Sequence, residues 1–155
     1  MEDRGKHPRG ARVTGVGYAP EGRLQAEGAP LDAQPLHAEQ IAVLSGGSLA
    51  SNAQLRQTAQ GDWEIQGDPT EAAFLVAERK LGVTERRVRR FDRIREIPFT
   101  SERKMMSTIV VDHERNDELM LIAKGAPDVL LARCTRVRTG IEVLELDDAW
   151  RTPIL

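Results

Sequence analysis

The chain has 155 residues, enough for one domain with its own core and too few for two comfortable ones. Its 22 Lys and Arg nearly balance 24 Asp and Glu, so no broad field marks it for nucleic acid or an anionic membrane, and any anion site must be local. The single Cys134 excludes an intramolecular disulfide or a cysteine-pair zinc site, which fits a reducing compartment, and no apolar run approaches the roughly 18 residues of a membrane span, so the chain is expected to be soluble.

Residues 1–10 are polar with Gly and Pro and read as a flexible or extraneous start, leaving 11–155 as the domain. "VTGVGY" (13–18) predicts a short strand, and "APEGRLQAEGAPLDAQP" after it a long loop. Leu36, Ile41, Leu44, Leu49 and Leu55 then have helical spacing, interrupted near Gly46 and Gly47, so one flawed helix or two short ones are expected. "DWEIQ" (62–66) is a brief strand. The clearest helix start follows: Asp68 can cap, Pro69 suits the first helical position, and Glu71 can reach back to the amide of the cap. That helix should run to about Leu81 and stop at Gly82. "TERRVRRFDRIREIPF" carries a basic run into a strand, "MMSTIVVD" and "ELMLIAK" form a hairpin around "HERND", and "GAPDVLLARC" makes a short helix with Val129, Leu130, Leu131 and Cys134 on its apolar face. "IEVLEL" is a last strand, and "DDAWRTPIL" opens a helix that the chain does not finish. The pattern predicts an α+β fold, a mixed, largely antiparallel β-sheet flanked by helices.

No Walker-type loop, "HExxH" or Cys/His pair is present, so neither catalytic residues nor metal ligands are assigned, and His7, His37 and His113 are read as surface residues. The arginines of "RRVRR" (86–90) could form a phosphate stripe, but the favoured reading is a solvated helix end or loop whose charges are offset by Glu85, Asp92 and Glu96. Three segments place polar groups at element boundaries, where side chains can share a cleft: "GDPTEAA" (67–73), "FTSERKMMS" (99–107) and "KGAPDVLL" (124–131). Taken singly, Glu71 is a capping residue or a ligand, Phe99 a core residue or a stacking plate, and Lys124 a strand-end charge or a site cation.

Together, in this order and at these separations, "GDPTE", "FTSERKMMS" and "KGAPDVLLARC" resemble the signature motifs of the nucleotide-binding domain of P-type ATPases, in the calcium-, magnesium- and sodium/potassium-pump-like branch. "VTGVGYAPEG" looks like the strand that follows the phosphorylated-aspartate segment, and "SNAQL" (51–55) resembles a motif ahead of "GDPTE"; the similarity covers roughly residues 11–146. The phosphorylation motif "DKTGT" and the later magnesium-binding aspartates are absent, Ser101 stands where many relatives carry arginine, and a further phosphate-side arginine would follow Leu155. The chain is therefore expected to be an excised domain, truncated at its C-terminal end.

The resemblance implies an ATP-delivery domain of a membrane cation pump, with ATP held as its magnesium complex in the intact protein. Phe99 would stack on adenine, a contact worth about 1–3 kcal/mol by analogy with base stacking elsewhere. Met106 would line the pocket, or simply fill core, and Glu71 would accept from the adenine amino group. Lys124 would lie deep in the adenine cavity and Lys104 toward the phosphates, while Gly125 would let the backbone approach the base; Arg103 is a candidate to compensate for Ser101. The phosphorylatable Asp would belong to a separate domain, so the fragment should bind ATP without hydrolysing it. Its partners would be the phosphorylation and actuator domains of the same chain, with no nucleic acid, no direct membrane contact, a cytoplasmic location and a monomeric fragment. The rival reading is a non-enzymatic module docking a protein or nucleic acid through residues 86–90.

Overall fold

The computed structural model describes residues 11–26, 29–30, 36–152 and 154; the start at 1–10 and parts of the loop at 27–28 and 31–35 lie outside them. Strand β1 is only Arg12–Val13, because the chain turns at Gly15 with φ of 88°, and it pairs with β2 (Leu24–Ala26), which pairs in turn with β3 (Ala29–Pro30). The stretch read as a loop thus supplies two strands, too short to show a period of two. Helix α1 (Leu36–Leu49) is continuous through both glycines, while Leu55 belongs not to it but to β4 (Gln54–Gln57), which forms a hairpin with β5 (Trp63–Gln66).

Helix α2 (Pro69–Leu81) follows its sequence signals at both ends. The Asp68 carboxylate accepts from the Thr70 and Glu71 amides, and Gly82 ends the helix in the left-handed conformation that only glycine adopts freely. The basic run is itself a helix, α3 (Thr84–Arg90), feeding β6 (Phe91–Thr100). Strands β6, β7 (Met105–Asp112) and β8 (Glu118–Gly125) make an antiparallel three-stranded sheet with β7 at its centre. A 3₁₀ turn at His113–Arg115 lies in the β7–β8 connection. Helix α4 (Pro127–Leu131) is shorter than its apolar spacing suggests and leaves Cys134 exposed. A hairpin of β9 (Arg136–Thr139) and β10 (Glu142–Glu145) and a turn of helix, α5 (Asp148–Arg151), complete the described chain. Strand β9, "RVRT", carries too little apolar patterning to be read in advance.

The class is α+β with antiparallel pairing, as expected, distributed among the described residues over four small sheets. The core lies between α1 and α2, where Leu24, Leu44 and Ala77 are buried and Ala11, Phe74 and Leu81 pack against them. The glycine pair in α1 has a packing cause. A Cβ on Gly47 would fall 2.1 Å from Cδ1 of Phe74, whereas one on Gly46 would meet nothing nearer than Cγ2 of Ile122 at 4.0 Å. Gly46→Ala is therefore expected to stabilise the chain by up to about 1 kcal/mol through helix propensity. Gly47→Ala should cost about 1–3 kcal/mol in overpacking, outweighing that gain. Urea midpoints moving in opposite directions for the two variants check this.

Candidate functional site

Two of the three boundary segments meet through Lys124 and Glu71, and the third joins them only along the β-ladder, where Met106 lies opposite Lys124. Lys124, at the end of β8, donates from Nζ to Oε1 of Glu71 in the first turn of α2, 2.8 Å away and 53 residues earlier in the chain. Oε2 of Glu71 accepts from the Asn52 amide at 2.7 Å and from the Ser51 hydroxyl at 3.4 Å. Glu71 thus turns away from the reciprocal capping contact its position suggested, and Asp68 caps the helix alone. Burial pushes the Glu71 carboxyl up, but the hydrogen bonds from Lys124, Asn52 and Ser51 together hold it below its ordinary value. The Lys124 ammonium also lies 5.9 Å from the centre of the Phe74 ring, the ring that excludes a side chain at Gly47.

A second layer fixes the 51–52 turn. Arg93 on β6 donates to the Ser51 carbonyl at 2.7 Å, to Oδ1 of Asn52 at 2.8 Å and to Glu96 at 2.7 Å, while Nδ2 of Asn52 donates to Glu96 at 2.9 Å. Ser51, Asn52, Phe74, Arg93 and Glu96 were not singled out from the sequence as site residues. "SNAQL" was the one signal available, and it says nothing of the partners.

The other predicted residues lie on the same sheet. Met106 is buried at 5% exposure and sits directly across the ladder from Lys124. Gly125 is opposite Met105, and a Cβ there would fall 2.4 Å from the Lys104 carbonyl and 2.5 Å from Cβ of Met105, so the close approach it permits in this structure is that of the β6–β7 turn. Lys104 occupies that turn with φ of 51°, its amide bonded to the Thr100 carbonyl and its own carbonyl to the Ala126 amide. Its side chain stands in the open. Phe99 is 61% exposed on β6, which is separated from β8 by two strand spacings, about 10 Å. Two concavities elsewhere, of ≈ 310 Å³ between α2, α3 and β4 and ≈ 430 Å³ between residues 13–18 and the α1–α2 pair, are lined by none of the six predicted residues. Among the described residues no group of three or more His, Cys, Asp or Glu is placed to hold a metal, and no helix is long and apolar enough to cross a membrane.

The family model described as P-type ATPase, cytoplasmic domain N, matches residues 39–155. The chain belongs to this family. It is 38% identical over 127 residues to the calcium-transporting ATPase of Bacillus subtilis (strain 168), covering 81% of this chain and 14% of that protein. It is 35% identical over 125 residues to the probable cation-transporting ATPase F of Mycobacterium tuberculosis (strain ATCC 25618 / H37Rv), covering 79% and 13%. With the cation-transporting ATPase pma1 of Synechocystis sp. (strain ATCC 27184 / PCC 6803 / Kazusa) the identity is 32% over 137 residues, 84% of this chain and 14% of the relative. The N-domain chain therefore spans about one seventh of the length of these relatives.

The basic run of the N domain is largely neutralised from within. Arg87 pairs with fully buried Glu78 at 2.8 Å, Arg90 with fully buried Asp112 at 2.6 Å, and Arg86 with Glu114 at 2.9 Å. The offsetting acids are thus Glu78, Asp112 and Glu114 in place of Glu85, Asp92 and Glu96, and they come from α2 and the β7–β8 connection. The Arg90 hydrogen bond holds the Asp112 carboxyl below its ordinary 3.8 against the opposing pull of burial. A carboxyl depressed in the folded state contributes stability above its unfolded value and loses it as pH falls through the folded one. Arg90→Met strands the buried carboxylate, so it should lower stability by about 3–5 kcal/mol near neutrality. The gap from the parent chain should narrow in acid as Asp112 protonates in the variant. Urea midpoints of both proteins at about pH 7 and about pH 3 check the sign.

Proposed function

We propose that this N domain holds the adenine of ATP against Phe99 and presents the γ-phosphate to a phosphorylatable aspartate in a separate domain of a cation-transporting P-type ATPase. The observation that carries this reading is the exposure of Phe99. A large aromatic side chain stands 61% exposed beside a strand whose Met105 and Met106 are each 5% exposed. Two strand spacings away, about 10 Å, a lysine is held in one orientation by a carboxylate. An adenine ring fits such a surface: a flat apolar face, a thioether below, and a cation at the edge.

In this reading Lys124 contacts the base and is aimed by Glu71. One lone pair of Glu71 Oε1 remains for the adenine amino group, since each carboxylate oxygen accepts two bonds. The phosphate end is thinly provided. Lys104 is the exposed cation of the β6–β7 turn, Ser101 brings no charge, and Arg103 bonds to the carbonyls of Ile97 and Pro98. That distribution supports weak binding, and a millimolar constant corresponds to only about 4 kcal/mol. Bound ATP supplies the phosphoryl group and the parent protein the magnesium and nucleophile, so the chain alone binds without hydrolysing. Its partners are the phosphorylation and actuator domains of the same parent chain, at the cytoplasmic face of a membrane.

Phe99→Ala should weaken ATP and adenosine by about 1–3 kcal/mol, yet cost far less stability than the about 3–5 kcal/mol of a core Phe. A collapse of the urea midpoint with normal nucleotide binding in the folded fraction would sink the assignment. Lys124→Ala should weaken both ligands alike, and Lys104→Ala should weaken ATP much more than adenosine, because only ATP carries phosphates. Titrations followed by NMR shifts, with an oligonucleotide as the third ligand, separate this reading from polyanion binding through residues 86–90, which would depend steeply on salt and ignore adenosine.

A further inference from the structure

The ladder between β6 and β7 slips by one residue beside Phe99. Ile97 pairs with Ser107, and the next pairing is Thr100 with Met105, so β6 advances three residues while β7 advances two. Such a bulge leaves backbone groups without ladder partners, and Pro98 has no N–H to offer in any case. Arg103, from the turn that follows, closes the gap. Its Nη1 donates to the carbonyls of Ile97 at 3.2 Å and Pro98 at 3.0 Å, and its Nη2 donates to Oγ of Ser107 at 2.8 Å. Its amide donates to Oγ1 of Thr100 at 3.2 Å. Ser107 is 2% exposed on the central strand, so one guanidinium joins the two peptides before Phe99 to the most firmly packed strand of the sheet.

We propose that Arg103 is a positioning residue for Phe99: its guanidinium locks the 97–100 bulge and so presets the aromatic face, instead of supplying phosphate charge. The role rests on the adenine site proposed above. A planar fork with donors on both terminal nitrogens suits this bridge, and a lysine ammonium cannot span it in the same way. β6 is an edge strand of its sheet, and residues 97–100 are exposed. Water can therefore satisfy the two carbonyls when the guanidinium is absent. What is lost is the single orientation of the bulge, and a site that must be ordered on binding has a lower apparent affinity.

The test uses the whole chain, with ATP and adenosine titrated by NMR. Arg103→Gln is expected to weaken both ligands by the same factor, roughly three- to tenfold, with little change in urea midpoint. Introduced into Phe99→Leu, it should produce no further loss, since an effect transmitted through the Phe99 ring disappears with that ring. Weakening of ATP alone would overturn the proposal and return Arg103 to the phosphates. Full additivity with Phe99→Leu, or no loss for either ligand, would also overturn it. Should Arg103→Gln fail to fold, Ser107→Ala removes only one of the side-chain contacts and must show the same non-additive pattern at smaller amplitude, or the proposal falls. If the unmodified chain does not bind adenosine, the adenine site itself fails, before any Arg103 variant is made. Failure of the Arg103 variants in a chain that does bind adenosine removes only the positioning role.

Discussion

The Lys124–Glu71 pair ties together parts of the chain that lie 53 residues apart. Lys124 ends a strand, Glu71 opens a helix, and the second oxygen of Glu71 holds the turn between α1 and β4 through the Asn52 amide. Both side chains are largely withdrawn from water, at 27% and 21% exposure, so bringing the charges together incurs a desolvation cost that the attraction only partly repays. The first turn of α2 lowers that cost, because unpaired amides at a helix N-terminus favour a carboxylate. Arg93 then fastens the same turn to β6, and Glu96 closes the network on Asn52. The return on this arrangement is orientation: a flexible lysine is given one place to be.

Phe74 carries the same constraint into the core. One face of its ring abuts the helix backbone at Gly47, and the Lys124 ammonium stands 5.9 Å from its centre. Helix α1, helix α2 and strand β8 are thus coupled through one ring, which explains a glycine within the last turn of α1 where propensity alone argues against it. The same close fitting recurs at Gly125, where β8 meets the turn bearing Lys104. Glycine at these two positions marks contact between elements.

Charge is distributed by a similar rule. Fully buried Glu78 and Asp112 each receive an arginine from α3: Arg90 grips Asp112 with a fork of Nε and Nη2, and Arg87 shares its Nε–H between the two oxygens of Glu78. The run that looked most like a polyanion stripe therefore works as a clasp between α3, α2 and the end of β7. Lys104, in the β6–β7 turn, is left in the open. Arg103, its neighbour in sequence, is turned back onto the bulge.

The bounds of helix α2 were legible because each end carries its own local signal: a capping Asp68 with Pro69 in the first turn, and Gly82 at the stop. The β7–β8 hairpin was legible because its β-branched runs flank a short polar connection. Strands β2, β3 and β9 were not, since short strands show too little alternation, and they form because a partner is available. The motif positions of Glu71, Phe99, Lys104, Met106, Lys124 and Gly125 were likewise readable as positions. What the sequence by itself determined is therefore the family, the class of fold and the places where polar residues interrupt the elements. Only the tertiary structure decided which partner each polar group takes: Glu71 with Lys124 at a separation of 53 residues, Asn52 with Glu96 at 44, and Arg103 with its own bulge. Backbone propensity and capping act over a few residues. A hydrogen bond between distant residues instead depends on how packed elements bring donors and acceptors within about 3 Å, and no local pattern encodes that distance.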